Sequence, residues 1–418
     1  MADHTIQFEG AAEPVSVPTG ALLSEAARLA GVEILQPCGG QGRCGRCAVQ
    51  ILDGTVRRRS TLRLSPADVE AGYALACQSV VEGDARVYVP PQEKIERRLT
   101  TDRTVAEVTV PDWYDPTTRQ AIRRVNLTLA PPTMDDQTDD WSRLQRALRQ
   151  EAGLDEVEAS LGTLRGIGTA LREGEWQVAA VLDVNRWDCD PCRPILVDLL
   201  PGHPPDDTPL WGAAIDIGTT TVTVWLVDLL SGEVRAQVAE YNGQIARGED
   251  VISRIIYAGK SEQNRQEMRS LVLETINTLL ETACKRVKAQ PGEVYKVTVA
   301  GNSTMIHLLL GIPAGSIRLS PFITAVNHVP SSPAREVGIN IHPAASVDCL
   351  PGVASYVGAD ISSGVLSSGM DDSEQITLFL DVGTNGETVL GSSEWLVTCA
   401  CSAGPAFEGA GVLDGMRA

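Results

Sequence analysis

The sequence predicts a multidomain protein of mixed α+β and α/β class, and three observations carry that expectation. Four cysteines, Cys38, Cys44, Cys47 and Cys77, stand at C-x5-C-x2-C-x29-C among short alternating strands. Two proline-rich breaks, Pro90–Pro91 and PGHPPDDTP from Pro201, punctuate the chain beyond them. A hairpin pattern, AIDIGTTTV, returns 165 residues later as LFLDVGTNGE. The 418 residues suffice for two to four cores, and the expected division is 1–91, a linker at 92–125, a small α+β unit at 126–207, and a large unit at 208–418.

Within the first unit, HTIQFEG and EPVSVP alternate as strands, and SEAARLAGV reads as a helix capped by Ser24 and stopped at Gly31. AVQILDGTVR reads as strand, turn and strand. LSPADVEAG is a short helix opened by Pro66, Asp68 and Glu70, and DARVYVP is a closing strand. Strands around a helix with a cysteine loop at one edge describe a β-grasp. In the middle unit NLTLAPP is a strand, DDWSRLQRALRQEAG a helix, and EWQVAAVLDV and PILVDLL are strands. The last unit opens on the meander WGAAIDIGTTTVTVWLVDLLSGEV, continues through a helix around 264–287, and runs VYKVTVAGNSTMIHLLLG from strand into helix before the hairpin recurs.

Composition narrows the function. Apolar residues make up 43% and charged residues 21%, as in soluble globular proteins, and at 4% aromatics the cores must be aliphatic. A net charge of −19 leaves no basic face for nucleic acid. The N-terminus has no basic, apolar leader, and no run approaches the ~20 apolar residues of a membrane helix. A cytoplasmic protein with neither nucleic-acid nor membrane partner is expected.

The cysteine spacing puts three thiolates on one loop and a fourth downstream, the arrangement an iron–sulfur cluster of the 2Fe–2S type needs. Gly39, Gly40, Gly42 and Gly45 permit left-handed backbone and close approach. A structural zinc site would favour paired C-x2-C knuckles, and only Cys44 and Cys47 form one. In each recurring hairpin an aspartate, Asp216 or Asp381, ends a strand where it can hold a water on Mg²⁺. Gly218, Thr219, Thr220 and Thr221 in the first, and Gly383, Thr384, Asn385 and Gly386 in the second, offer amides, hydroxyls and close approach to phosphate. Two such hairpins facing each other can clasp ATP with Mg²⁺. Gly301, Asn302 and Ser303, at a strand-to-helix turn, either line the γ-phosphate region or form an ordinary N-cap. Glu387 either orients a water or faces solvent. Asp360 either contacts magnesium or caps a helix. His307 reads as a core histidine, Cys189 and Cys192 as incidental thiols, Cys399 and Cys401 as buried packing, and Arg57–Arg58–Arg59 as a solvated turn.

Taken together, CGGQGRCGRC with Cys77, AIDIGTTTV, AGNSTMIHLLLG, LFLDVGTNGE and SAGPAFEGAGVLDGMRA resemble the reductive activators of corrinoid-dependent methyltransferases, ferredoxin-fused members of the actin-like ATPase superfamily. The resemblance covers nearly the whole chain. It implies a ferredoxin domain, a linker, a small middle domain and an actin-like (ribonuclease H-like) ATPase domain. It further implies ATP hydrolysis coupled to reduction, with Asp216, Asp381 and Asn302 as catalytic residues. One electron would pass from the cluster to Co(II) of a corrinoid protein or corrinoid/iron–sulfur methyltransferase, regenerating Co(I), and a cellular donor would supply it. A homodimer is compatible with this. Family members continue past the second phosphate motif, so a chain ending at Ala418 is expected to be truncated, with an incomplete second lobe. Activation of another metalloenzyme, such as an iron–sulfur dehydratase, and plain electron transfer beside a non-catalytic nucleotide domain remain the alternatives.

Overall fold

In a computed structural model the described residues are 2–36, 38–91, 115, 120–186, 193–383 and 386–401. The N-terminal sheet is built from β1 (Asp3–Phe8), β2 (Val15–Pro18), β3 (Ala48–Arg58), β4 (Tyr73–Leu75) and β5 (Ser79–Tyr88), in the order β2-β1-β5-β3-β4. Two helices, α1 (Leu23–Leu29) and α2 (Pro66–Glu70), complete this unit. β1 and β5 run parallel at the centre, and α1 buries Leu23, Ala26 and Ala27 against Ile6, Phe8 and Val87. This is the expected β-grasp, with two local differences. The cap of α1 is Leu22 rather than Ser24, because Glu25 reaches back to the Leu22 amide at 3.2 Å. AVQILDGTVR is one long strand, since the Asp53–Gly54 step is absorbed as bulges against β5.

The middle sheet holds β6 (Ile122–Thr128), β7 (Glu158–Ala159), β8 (Gln177–Asp183) and β9 (Ile195–Pro201), packed beneath α3 (Asp140–Ala152) and α4 (Leu161–Glu173). β6 starts at Ile122, before the expected boundary at Asn126. Arg123 and Arg124 interrupt the apolar pattern there, but Arg124 donates to the Thr208 carbonyl at 2.8 Å and so belongs in the strand. Helix α4 adds to the expected elements: Gly162, Gly166 and Gly168 weaken its propensity, and burial of Ile167, Ala170 and Leu171 holds it.

The third unit begins with β10 (Trp211–Ile217), β11 (Thr221–Asp228) and β12 (Glu233–Tyr241), followed by α5 (Val251–Ala258) and the long α6 (Glu262–Val287). After these come β13 (Val294–Gly301), α7 (Ser303–Leu310), β14 (Ser332–Pro333), α8 (Ala334–Val337), β15 (Ser346–Cys349) and α9 (Ala359–Ser368). The sheet order is β12-β11-β10-β13-β15-β14: an antiparallel meander joined to two parallel strands, over the apolar face of α6. A separate sheet, β16 (Thr377–Val382), β17 (Gly386–Ser392) and β18 (Trp395–Cys401), carries the second hairpin. Phe379 and Val389 pack its inner face against α9, while Leu378, Leu380, Val382, Leu396 and Val397 lie exposed. Cys399 and Cys401 are exposed too, contrary to expectation, because β18 has no layer over it among the described residues.

A polar knot joins the middle and third units. Lys296 Nζ on β13 lies 2.5 Å from Asp348 and 3.5 Å from Asp183, all three buried, and Ser346 donates to Asp183 at 2.6 Å. Removing one member of a buried charge group leaves the others uncompensated. Lys296→Met should therefore destabilise the chain by about 3–5 kcal/mol, read as a shift in the denaturant midpoint at unchanged slope.

Candidate functional site

The cluster loop owes its shape to its glycines. Gly39, Gly40, Gly42 and Gly45 all take positive φ, between 64° and 76°, which folds four cysteines toward one another. Cys38 and Cys44 come within 3.4 Å of each other at sulfur, and Cys47 and Cys77 within 3.2 Å. In each pair one sulfur is stabilised as thiolate by its partner's S–H: Cys38 is pulled down to about 5 and Cys77 is lowered, while Cys44 and Cys47 are pushed up. Two thiol pairs, three members on one loop, fit a two-iron cluster with two sulfurs for each iron.

The first hairpin is built as a presenting turn. Its carbonyls are held from behind: Asn242 Nδ2 donates to Gly218 O at 2.9 Å, the Asn242 amide to Thr220 O at 2.8 Å, and Arg254 to Thr219 O. Arg254 is fully buried and also donates to Gly248 O and Gln244 Oε1, so its guanidinium serves to fix this turn. A Cβ on Gly218 would lie 2.6 Å from Thr221 O. Thr219, Thr220 and Thr221 are left half-buried at the surface of the turn.

β13 runs parallel to β10 with Asp216 opposite Ala300 and Ile217 opposite Gly301, which brings the strand-to-helix corner beside the turn. Gly301 is needed there, since a Cβ would meet Ile217 O at 2.8 Å. Asn302 is the N-cap of α7, its Oδ1 accepting from the Thr304 amide at 3.0 Å. That oxygen caps the helix. Ser303 donates to Ala354 O at 2.7 Å, tying the corner to the loop before α9. His307 is fully buried as expected, its Nδ1–H donating to Ser303 O and its Nε2 accepting from the Ala325 amide.

The residue that sequence reasoning undervalued is Asp360. Gly358 sits so close to the corner that a Cβ would lie 2.5 Å from the Ser303 amide nitrogen. That approach is what carries Asp360, at the second position of α9, toward Asp216; the N-cap position is Gly358, and the Asp360 carboxylate accepts from the Ile361 amide of the first turn at 2.9 Å. Burial, then the charges of Asp360 and Asp381, push Asp216 up to about 6; burial and Asp381 do the same to Asp360. Asp381 faces Glu387 across β16–β17, and Glu387 is buried rather than facing solvent. Only this mutual electrostatic influence could have signalled Asp360. Of the remaining expected contacts, Gly383 and Gly386 flank the second turn, whereas Thr384, Asn385, Cys189, Cys192 and the stretch 402–418 lie outside the described residues. The charges of Asp360 and Asp381 reach Asp216 beside a threonine-bearing turn and a helix start, although among the described residues no three such side chains converge closely enough to hold a metal ion as they stand.

Similarity to known proteins covers successive stretches of the chain. Family models match residues 6–82 (2Fe-2S iron-sulfur cluster binding domain), 115–204 (RACo linker region), 211–373 (RACo middle region) and 375–418 (C-terminal domain of RACo, the ASKHA domain). A solved structure of a reductive activator for a corrinoid, iron–sulfur protein is 39% identical with a TM-score of 0.64, covering 99% of this chain and 65% of that one. The corrinoid activation enzyme RamQ of Eubacterium limosum is 27% identical over 97% of this chain and 62% of its own length. The [Co(II) methylated amine-specific corrinoid protein] reductase of Methanosarcina barkeri is 23% identical over 50% of this chain and 39% of its own. The chain thus spans less than two thirds of each of these relatives. No helix among the described residues is long and apolar enough to cross a membrane.

Asp216 and Asp360 hold protons more tightly in the folded chain than an ordinary carboxyl does, so their contribution to stability is full below about pH 4 and is lost as pH rises through about 6. Asp360→Asn should flatten this loss and raise the thermal midpoint of the ligand-free chain at neutral pH. It should also weaken stabilisation by added Mg²⁺. An unchanged thermal pH profile would mean that the carboxylates do not crowd one another.

Proposed function

We propose that this chain, which belongs to the RACo family, carries out ATP-dependent reductive activation of a corrinoid protein, returning its cobalt from Co(II) to Co(I). The observation that carries the reading is the presence, in one chain, of a three-cysteine loop closed by Cys77 and of a threonine-bearing turn beside Asp216, with contacts between their two domains. The names of RamQ, of the methylated amine-specific reductase and of the solved activator support the corrinoid client. Cys38, Cys44, Cys47 and Cys77 would hold a 2Fe–2S cluster, which would supply the one-electron relay from a cellular donor.

Asp216 and Asp381, joined by Asp360, would hold waters on Mg²⁺. Gly218, Thr219, Thr220 and Thr221 would take phosphate oxygens from one side, and Gly383, Thr384, Asn385 and Gly386 from the other. Gly301 and Ser303 would line the γ-phosphate region beside the start of α7, and Glu387 would orient the attacking water. Cobalt reduction is uphill for an ordinary donor: each ~59 mV of shortfall is a tenfold loss at one electron. Nucleotide offsets the shortfall only through different affinities for the two conformations it connects.

The test is the visible spectrum of a Co(II) corrinoid protein mixed with the reduced full chain, with and without Mg-ATP. Co(I) should form only with ATP. No cobalt reduction while the cluster absorption stays intact would direct the reading to another metalloenzyme client. In the same assay Asp216→Ala should lose the ATP response and keep the cluster, and Cys44→Ser should lose the visible cluster absorption.

A further inference from the structure

The cluster loop does not stand free of the nucleotide domain. Lys260, in the short link between α5 and α6, donates from Nζ to the Gly39 carbonyl at 2.9 Å. The Gln36 amide donates to Ala246 O at 2.8 Å, and Arg247 reaches Ile34 O at 3.4 Å. The fit is close: a Cβ on Gly39 would lie 2.5 Å from Ser253 O, and one on Gly40 would lie 2.6 Å from Lys260 Nζ and 3.6 Å from the Cys77 Cβ. Gly39 and Gly40 are buried by this contact and by their own domain. The Lys260 ammonium also sits over the Tyr257 ring, 5.4 Å from its centroid. The carboxylate of this corner, Glu267, is engaged by Arg247 at 2.8 Å and by the Tyr257 hydroxyl at 2.6 Å.

We propose that Lys260 is a positioning residue for the cluster loop: it anchors Gly39 to the nucleotide domain and favours the reduced state of the cluster while the two domains are in contact. The inference rests on the reading that the four cysteines hold a 2Fe–2S cluster. Reduction by one electron adds one negative charge to the four-thiolate site, and a cation anchored by a hydrogen bond to the buried cluster loop, from the exposed side of that loop, stabilises the added charge. Lys260 Nζ and the Cys77 Cβ both lie within 4 Å of the place a Cβ on Gly40 would take, so the cation is held close to a ligand residue. Separation of the domains removes the cation and leaves the same cluster a stronger reductant. The docked arrangement is then the form that accepts an electron readily, and the released one the form that gives it up.

The test is a redox titration of the full chain followed by the paramagnetic resonance of the reduced cluster, in wild type, K260R, K260M and K260E, with iron and sulfide measured in each. The midpoint should follow the charge. K260R should stay near wild type, K260M should fall by about tenfold in the reduction equilibrium, ~59 mV for one electron, and K260E should fall further. Equal midpoints across the series, with cluster content retained, would overturn the proposal. Absence of a reduced-cluster signal from the wild-type chain would instead defeat the cluster reading beneath it.

Discussion

The backbone of the third unit holds like charges close to one another. Asp216, Asp360 and Asp381 come from three different elements, and burial together with mutual repulsion raises two of them to about 6. Left alone, such a group would drive its elements apart or take up protons. It persists because backbone contacts independent of the carboxylates fix each element: the parallel register of β10 and β13, the packing of Gly358 on the Ser303 corner, and the pressing of Phe379 against Gly364 of α9. Protons taken up by Asp216 and Asp360 relieve that repulsion, and a neutralising cation would do the same.

Arg254 is the complementary device. A fully buried guanidinium is costly unless every donor is occupied, and here Thr219, Gly248 and Gln244 accept from it. It sits one residue beyond Ser253, whose carbonyl faces Gly39 of the cluster loop. A single turn of α5 therefore touches the Thr219 turn on one side and the cysteine loop on the other. The two half-sites are connected through main-chain atoms and one cation.

Much of this is legible in the residues. The cysteine spacing and its glycines, the repeated hairpin, and the β-grasp order arise from local rules that tertiary context leaves intact. What stays hidden has physical causes. Helix α4 is carried by its buried face against three glycines. Asp360 gains its meaning from the close approach of Gly358, a contact between distant segments that no periodicity records. Ser24 has the chemistry of a cap and loses the place to Glu25, whose longer carboxylate reaches the Leu22 amide. Asn302, expected to be catalytic, commits its side-chain oxygen to Thr304. The seat of the cluster loop on α5 is likewise a matter of surfaces meeting, with Lys260 an ordinary lysine in sequence.

The knot of Lys296, Asp183 and Asp348 has a consequence for how such a protein can change over generations. A recombination point between the middle and third units would part charges that are buried and satisfied only together. Those two units are inheritable as a pair, whatever either does alone. The N-terminal domain meets its neighbour through its own main-chain groups, the Gln36 amide on Ala246 O and the Ile34 and Gly39 carbonyls on the Arg247 and Lys260 side chains. Backbone contacts of that kind survive drift in most side chains. The architecture is modular at its first joint and fused at its second.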